Sequence, residues 1–128
     1  MREIDESIIE SFKNHLKEDY SVDENVFFFK VSPQKYLQAA EFLNKNGFQR
    51  LLTVSAVDWI EKELFEVYFL VHNMIENLYV KIATEIPRED PKIQSLTTIW
   101  SNALLHENEV WELFGITFKG NNHLQPLF

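Results

Sequence analysis

The stretch FQRLLTVSAVDWIEKELFEVYFLVHNMIENLYVKIATEI, residues 48–86, decides the fold. Within it, residues 48–60, 64–73 and 77–86 are rich in β-branched and aromatic side chains and read as three successive strands. The connections around IEKE and MIEN are too short for a crossover, so neighbouring strands are antiparallel.

Working outward, residues 4–18 place Ile4, Ile8, Phe12 and Leu16 four apart, with Ile9 beside them, which is the stripe of an amphipathic helix. Its other face, with Glu6, Glu10, Lys13 and Lys17, lacks the basic character of a membrane-surface helix, so the stripe is expected to pack on the domain. Residues 20–25 are polar and read as a loop. VFFFKV (26–31) reads as a short strand buried on both faces. Ser32-Pro33 starts a second helix, with a capping hydroxyl and a proline where no amide is missed. Tyr36, Leu37, Ala40 and Leu43 form its apolar face and Asn46-Gly47 its stop. Beyond Pro87 and Pro91 the chain leaves the sheet. A last helix begins near residues 96–98 and runs to Phe114. Gly115 stops it in a left-handed cap, with Ile116 expected against Trp111, and Ile116 and Phe118 alternate as a final strand. The expectation is an α+β fold of two layers, a mainly antiparallel sheet with helices packed on it, in the order α-β-α-β-β-β-α-β. A single domain spans residues 1–128.

Composition narrows the function. There is no cysteine among the 128 residues, which removes disulfides, thiolate nucleophiles and cysteine-ligated metals. Twelve Lys and Arg against twenty Asp and Glu leave a net charge of −8, so no nucleic acid is expected as a partner. No apolar run approaches the length of a membrane helix. The opening MREIDESIIE has acids where an export signal carries bases, and a cytoplasmic protein is expected.

One residue demands an explanation. On a helix over residues 99–114, Ile99, Trp100, Ala103, Leu104, Val110, Trp111, Leu113 and Phe114 fill about half the circumference, and Glu107 falls inside that arc. A carboxylate there costs several kcal/mol unless it is paired, hydrogen-bonded or protonated. Three readings are open: a helix bend with Glu107 exposed or bonded to a backbone amide, a buried pair with Arg50 or a lysine, or a partner protein that supplies the counter-charge. Glu107 with Asp58 is also the one candidate pair for acid-base catalysis, although Asp58 is read first as a strand-end cap or turn residue. His106-Glu107 begins a zinc-protease motif, but Val110 occupies the second ligand position. His15, His72 and His123 are far apart in sequence, and the three glycines are isolated.

Three blocks, LLTVSAVDW (51–59), QSLTTIWSNAL (94–104) and ENEVWELFGITFKG (107–120), resemble the 30 kDa subunit family of respiratory complex I (NADH dehydrogenase), which also includes the matching small subunit of energy-converting (Ech-type) membrane-bound NiFe hydrogenases. Glu107, Glu109, Glu112, Leu113, Phe114, Gly115, Phe118 and Gly120 match the family signature. Asn108 stands in place of its arginine, and Asn121-Asn122 in place of His-Pro. The short length and the ending GNNHLQPLF look closest to the hydrogenase branch.

The resemblance implies a non-catalytic scaffold subunit of a complex I-like oxidoreductase, with no cofactor or metal of its own. It would dock on the large catalytic subunit that holds the quinone or NiFe site, near the small Fe–S subunit, at the cytoplasmic face of the membrane. Its subunit interface would comprise Glu107, Glu109, Trp111, Glu112, Phe114, Gly115, Phe118 and Gly120. The rival readings are a small acid-base enzyme using Asp58 and Glu107, and a free-standing interaction adaptor.

Overall fold

The computed structural model describes residues 7–125. Ile4 of the first stripe and residues 126–128 of the closing stretch lie outside the described residues. The elements are α1 (Ser7–Leu16), β1 (Tyr20–Asp23), β2 (Val26–Lys30), α2 (Pro33–Lys45), β3 (Arg50–Trp59), a 3-10 turn (Ile60–Lys62), β4 (Leu64–Asn73), β5 (Leu78–Pro87), β6 (Lys92–Gln94), α3 (Ala103–Phe114) and β7 (Thr117–Lys119).

The main sheet has the order β1-β2-β5-β4-β3, antiparallel throughout except for the parallel pair β2 and β5. The three central runs are the strands expected, with antiparallel neighbours. One face of this sheet carries Phe27, Phe29, Val54, Val67, Phe69, Val71, Val80 and Ile82, all buried. The helices lie on that face: Phe12 of α1 meets Phe29 at 4.8 Å between ring centroids, and Tyr36 of α2 meets Phe69 at 5.2 Å. Each such fully buried large side chain contributes about 1.5–3 kcal/mol. The result is the two-layer α+β arrangement expected from the sequence.

The opposite face is only half-covered, which corrects the expectation that VFFFKV is buried on both faces. Phe27 and Phe29 point to the helices, while Phe28 and Tyr68 stay partly exposed, with the Lys81 ammonium 5.4 and 4.2 Å from their ring centroids.

Three further expectations need correction. Residues 20–25 are not simply a loop, because Tyr20–Asp23 pairs with β2 as an edge strand. Three of its four residues are exposed, so no apolar period marks it. Lys92–Gln94 does not merely lead away from the sheet, because it forms a second, two-stranded parallel sheet with β7. Ile93 is its sole buried residue, and its strand character comes from a partner more than twenty positions later. The last helix starts at Ala103, not near 96–98. The preceding turns place Trp100 in the core, where its indole N–H donates to the Phe48 carbonyl at 3.1 Å. Asn102 then spends its side-chain amide on the Leu51 carbonyl, 3.0 Å away, instead of capping the helix.

Helix α2 begins at Pro33 as expected, but the Ser32 hydroxyl makes no cap bond. Its stop is as read: Asn46 caps the helix and Gly47 turns left-handed at φ +93°. Asn73, at the end of β4, accepts the Ile75 and Glu76 amides and donates to the Asn46 carbonyl, joining the β4–β5 turn to the end of α2. A Cβ at Gly47 would lie 2.8 Å from the Asn73 side-chain nitrogen. Gly47→Ala is therefore predicted to lose about 2 kcal/mol, the sum of left-handed strain and a disturbed Asn73. Urea unfolding at neutral pH measures this, and an unchanged midpoint would contradict it.

Candidate functional site

Helix α3 runs alongside β3. Asn102 reaches Leu51 near the start of that strand, while Phe114 meets Phe65, the register partner of Asp58, at 5.8 Å near its end. Gly115 ends the helix at φ +74°, its N–H on the Trp111 carbonyl at 2.8 Å. Ala103, Glu107, Asn108 and Val110 are buried on the inner side.

Glu107 is 0% exposed. Its Oε1 accepts the Ser95 hydroxyl at 2.7 Å and the Asn121 side-chain N–H at 3.0 Å, and its Oε2 accepts the Leu96 backbone N–H at 2.7 Å. Ser95 in turn bonds Thr97, whose N–H it accepts at 3.1 Å. Asn121 uses its carbonyl oxygen for the His123 N–H at 2.9 Å. One carboxylate thus clamps α3 to the segment after β6 and to the segment after β7. The Ser95 N–H also donates to the Lys119 carbonyl at 2.8 Å, so the clamp sits at the end of the two-stranded sheet.

These partners correct the expectation of a basic group. Neither Arg50 nor a lysine is bonded to Glu107; three neutral donors satisfy its two oxygens. Short bonds to a carboxylate are strong enough to hold it inside a domain. Burial still pushes its pKa above the ordinary 4.5, and the three donors only partly oppose that rise. The Tyr36 hydroxyl shares the interior, its pKa raised first by burial and second by the charge of Glu107.

The eight residues expected at an interface divide by exposure. Glu107 and Phe118 are enclosed by this chain itself and cannot touch a partner directly. Trp111 and Phe114 are half-covered, and Glu109, Glu112, Gly115 and Gly120 are exposed. Leu105 and Leu113, 67% and 69% exposed, complete an outer ridge with Glu109 and Glu112 at the spacing of one helix face. Sequence reasoning misses Ser95 and Asn121 as partners of Glu107. Asn121 shows itself in the sequence only as a departure from the signature, and Asn108, the other departure, is also buried.

The acid-base pair is not assembled. Asp58 is held by Arg88 in a two-bond pair at 2.7 and 2.9 Å, which lowers its pKa. The neighbouring cavity of about 370 Å³ is lined by Asp58 to Lys62 of one hairpin. Glu107 faces Ser95, Leu96 and Asn121 instead, without access to solvent. Asp58 is thus one half of a strand-end ion pair, not a cap. Among the described residues no group of three His, Cys, Asp or Glu could hold a metal ion. His15 stacks on Phe42 and His72 on Tyr79. No helix among the described residues is long and apolar enough to cross a membrane.

Comparison with known proteins places this geometry. Residues 29–128 match the family model described as respiratory-chain NADH dehydrogenase, 30 Kd subunit. The C subunit of the F(420)H(2) dehydrogenase of Methanosarcina mazei is 30% identical over 98 residues, 76% of this chain and 62% of that protein. The C/D subunit of the NADH-quinone oxidoreductase of Psychrobacter cryohalolentis is 40% identical over 60 residues, 47% of this chain and 10% of that one. The chain therefore spans less than two thirds of either relative. A chain of the membrane-bound sulfane sulfur reductase, an archaeal respiratory membrane complex, shares the fold with a TM-score of 0.89 at 22% identity, covering 98% of this chain and 76% of that chain.

Glu107→Gln keeps the shape but turns an NH2 group toward donors, so it is predicted to cost about 1–3 kcal/mol. The pH dependence has a definite sign. A carboxyl whose pKa is raised on folding binds its proton more readily in the native state, so its contribution is full below the ordinary 4.5 and declines as pH rises through the folded value. The stability gap between the parent and Glu107→Gln should narrow over that window. Urea titrations of both proteins at a series of pH values read the gap; one that widens with pH would overturn this account of Glu107.

Proposed function

The chain belongs to the respiratory-chain NADH dehydrogenase 30 kDa subunit family, and from that membership we propose that it is an accessory subunit of a complex I-like oxidoreductase that binds no cofactor and performs no catalysis of its own. It docks on the large catalytic subunit, which holds the quinone or NiFe site, near the small Fe–S subunit and at the cytoplasmic face of the membrane. The observation that carries this reading is the outer ridge of α3. Leu105 and Leu113 are two-thirds exposed on a helix whose inner side is clamped by Glu107. Exposed leucines on a rigid support are what an interface needs.

Val57, Trp59 and Ile60, on β3 and the turn after it, are 36, 41 and 66% exposed, and β3 is the strand that α3 packs along. Five of the exposed large apolar side chains therefore belong to these neighbouring elements. The name C/D of the Psychrobacter relative describes a chain in which a C-like part is joined to a D part, and this supports a D-type large subunit as the partner here. Glu107 acts within this scheme from inside, by holding the helix that presents the ridge. The branch, hydrogenase or NADH- or F420-linked dehydrogenase, follows from which catalytic subunits accompany the chain.

The test is affinity purification of the tagged protein from gently solubilised native membranes, with the accompanying chains identified by mass spectrometry. A large subunit with NiFe cysteine ligands assigns the hydrogenase branch, and flavin- and NADH-binding subunits assign the respiratory one. Absence of any stoichiometric partner would remove the subunit reading. Leu105→Arg with Leu113→Arg is predicted to reduce recovery of the large subunit about tenfold or more, as expected for apolar interface contacts. Thermal stability of the isolated variant should remain that of the parent, since both side chains are exposed.

A further inference from the structure

A cleft of about 490 Å³ separates the first turns of α2 from the outer face of the β6/β7 sheet. Pro33, Gln34 and Leu37 line it from the helix, and Lys92, Gln94 and Lys119 from the strands. Lys92 pairs in register with Thr117 and Gln94 with Lys119, while Ile93 and Phe118 turn inward and are buried. Both lysines therefore stand on the same side of two adjacent strands.

The two lysines are weakly engaged. Lys92 has Asp90 at 3.4 Å, an exposed pair with the acid 73% accessible, and Lys119 has no ion-pair partner among the described residues. Lys35, on the same helix as Gln34, is by contrast occupied by Glu18 and the Leu16 carbonyl. A basic, apolar-walled cleft in a chain of net charge −8 selects an anion. The clamp also governs it: Ser95, held by Glu107, ties the end of β6 to Lys119, so the buried carboxylate fixes the alignment of the strands that carry the lysines.

We propose that this cleft receives an Asp or Glu side chain of a neighbouring subunit, its carboxylate between Lys92 and Lys119 and its apolar flank against Pro33 and Leu37. The Gln34 and Gln94 amides are placed to take the remaining lone pairs. This rests on the reading of the chain as a subunit, and it adds a second contact on elements other than the α3 ridge. A lipid headgroup fits less well: membrane-surface sites use clusters of about four to eight Lys or Arg, and the acidic chain as a whole is repelled by an anionic leaflet.

The test is acetylation of lysines by N-hydroxysuccinimidyl acetate in the complex purified from native membranes and in the free full chain. A carboxylate against an ammonium raises the lysine pKa by about one unit, so Lys92 and Lys119 are expected to react about tenfold more slowly in the complex. Exposed Lys45 should react equally in both. Carbodiimide treatment of the complex should join Lys92 or Lys119 to an Asp or Glu of another subunit. Equal labelling of both lysines in complex and free chain would overturn the proposal while leaving the subunit reading intact. Protection reproduced by mixing the free chain with phosphatidylglycerol vesicles would assign the cleft to lipid phosphate and overturn it as well. If no other chains accompany this one, the subunit reading fails first and this proposal with it. As a second readout, Lys119→Glu should cut recovery of the complex about tenfold by charge repulsion at the contact, with an unchanged melting temperature.

Discussion

A single carboxylate, that of Glu107, joins three parts of the chain that have no other reason to align. An ionised side chain moved from water to an apolar interior loses several kcal/mol of solvation unless donors replace the water. Here Ser95, Leu96 and Asn121 supply those donors at 2.7 to 3.0 Å. Each donor comes from an irregular segment, one after β6 and one after β7, and both segments are thereby drawn to the inner side of α3. The donors are neutral, so the arrangement needs no second buried ion, and it avoids the unpaired cation that loss of one partner of a salt bridge would leave.

The ion pair of Asp58 with Arg88 makes an instructive contrast. It joins the end of β3 to the residue just past β5 through two parallel bonds, but both side chains reach solvent. Water screens such a pair, and its main effect is to hold Asp58 ionised and oriented. The two carboxylates that most invite an enzymatic reading are each fully used in structure, one inside the domain and one at the sheet's end. What the fold leaves unused is surface: the α3 ridge, the exposed apolar end of β3, and the lysine cleft.

That division suits a subunit whose signature segment works from within. Of the signature matches, Glu107 and Phe118 set the backbone, Gly115 ends the helix, and Glu109, Glu112 and Leu113 look outward. A rigid inner side and an apolar outer side on one short helix make a docking element that loses little conformational freedom on assembly.

The sequence by itself determined much of the architecture. Period-two runs over residues 48–86 specified three antiparallel strands, because their side chains must alternate between a core and an outer face. Pro33 and Asn46-Gly47 bounded α2, and Gly115 bounded α3, since those backbone conformations favour those residues. The same reading located Glu107 inside an apolar arc. Only the tertiary structure decided the rest. Strands β1 and β6 are short and largely exposed, and they exist through pairing with β2 and β7, which no local pattern records. The turns at residues 97–102 bury Ile99 and Trp100 in part or in full by a route that helical periodicity imitates. The partners of Glu107 are a serine, a backbone amide and an asparagine, residue types so common in loops that their sequence carries no sign of the contact. Hydrogen bonding to neutral groups depends on where atoms meet in space, and for this carboxylate that meeting is made by the packing of α3 against two segments on either side of it in the chain.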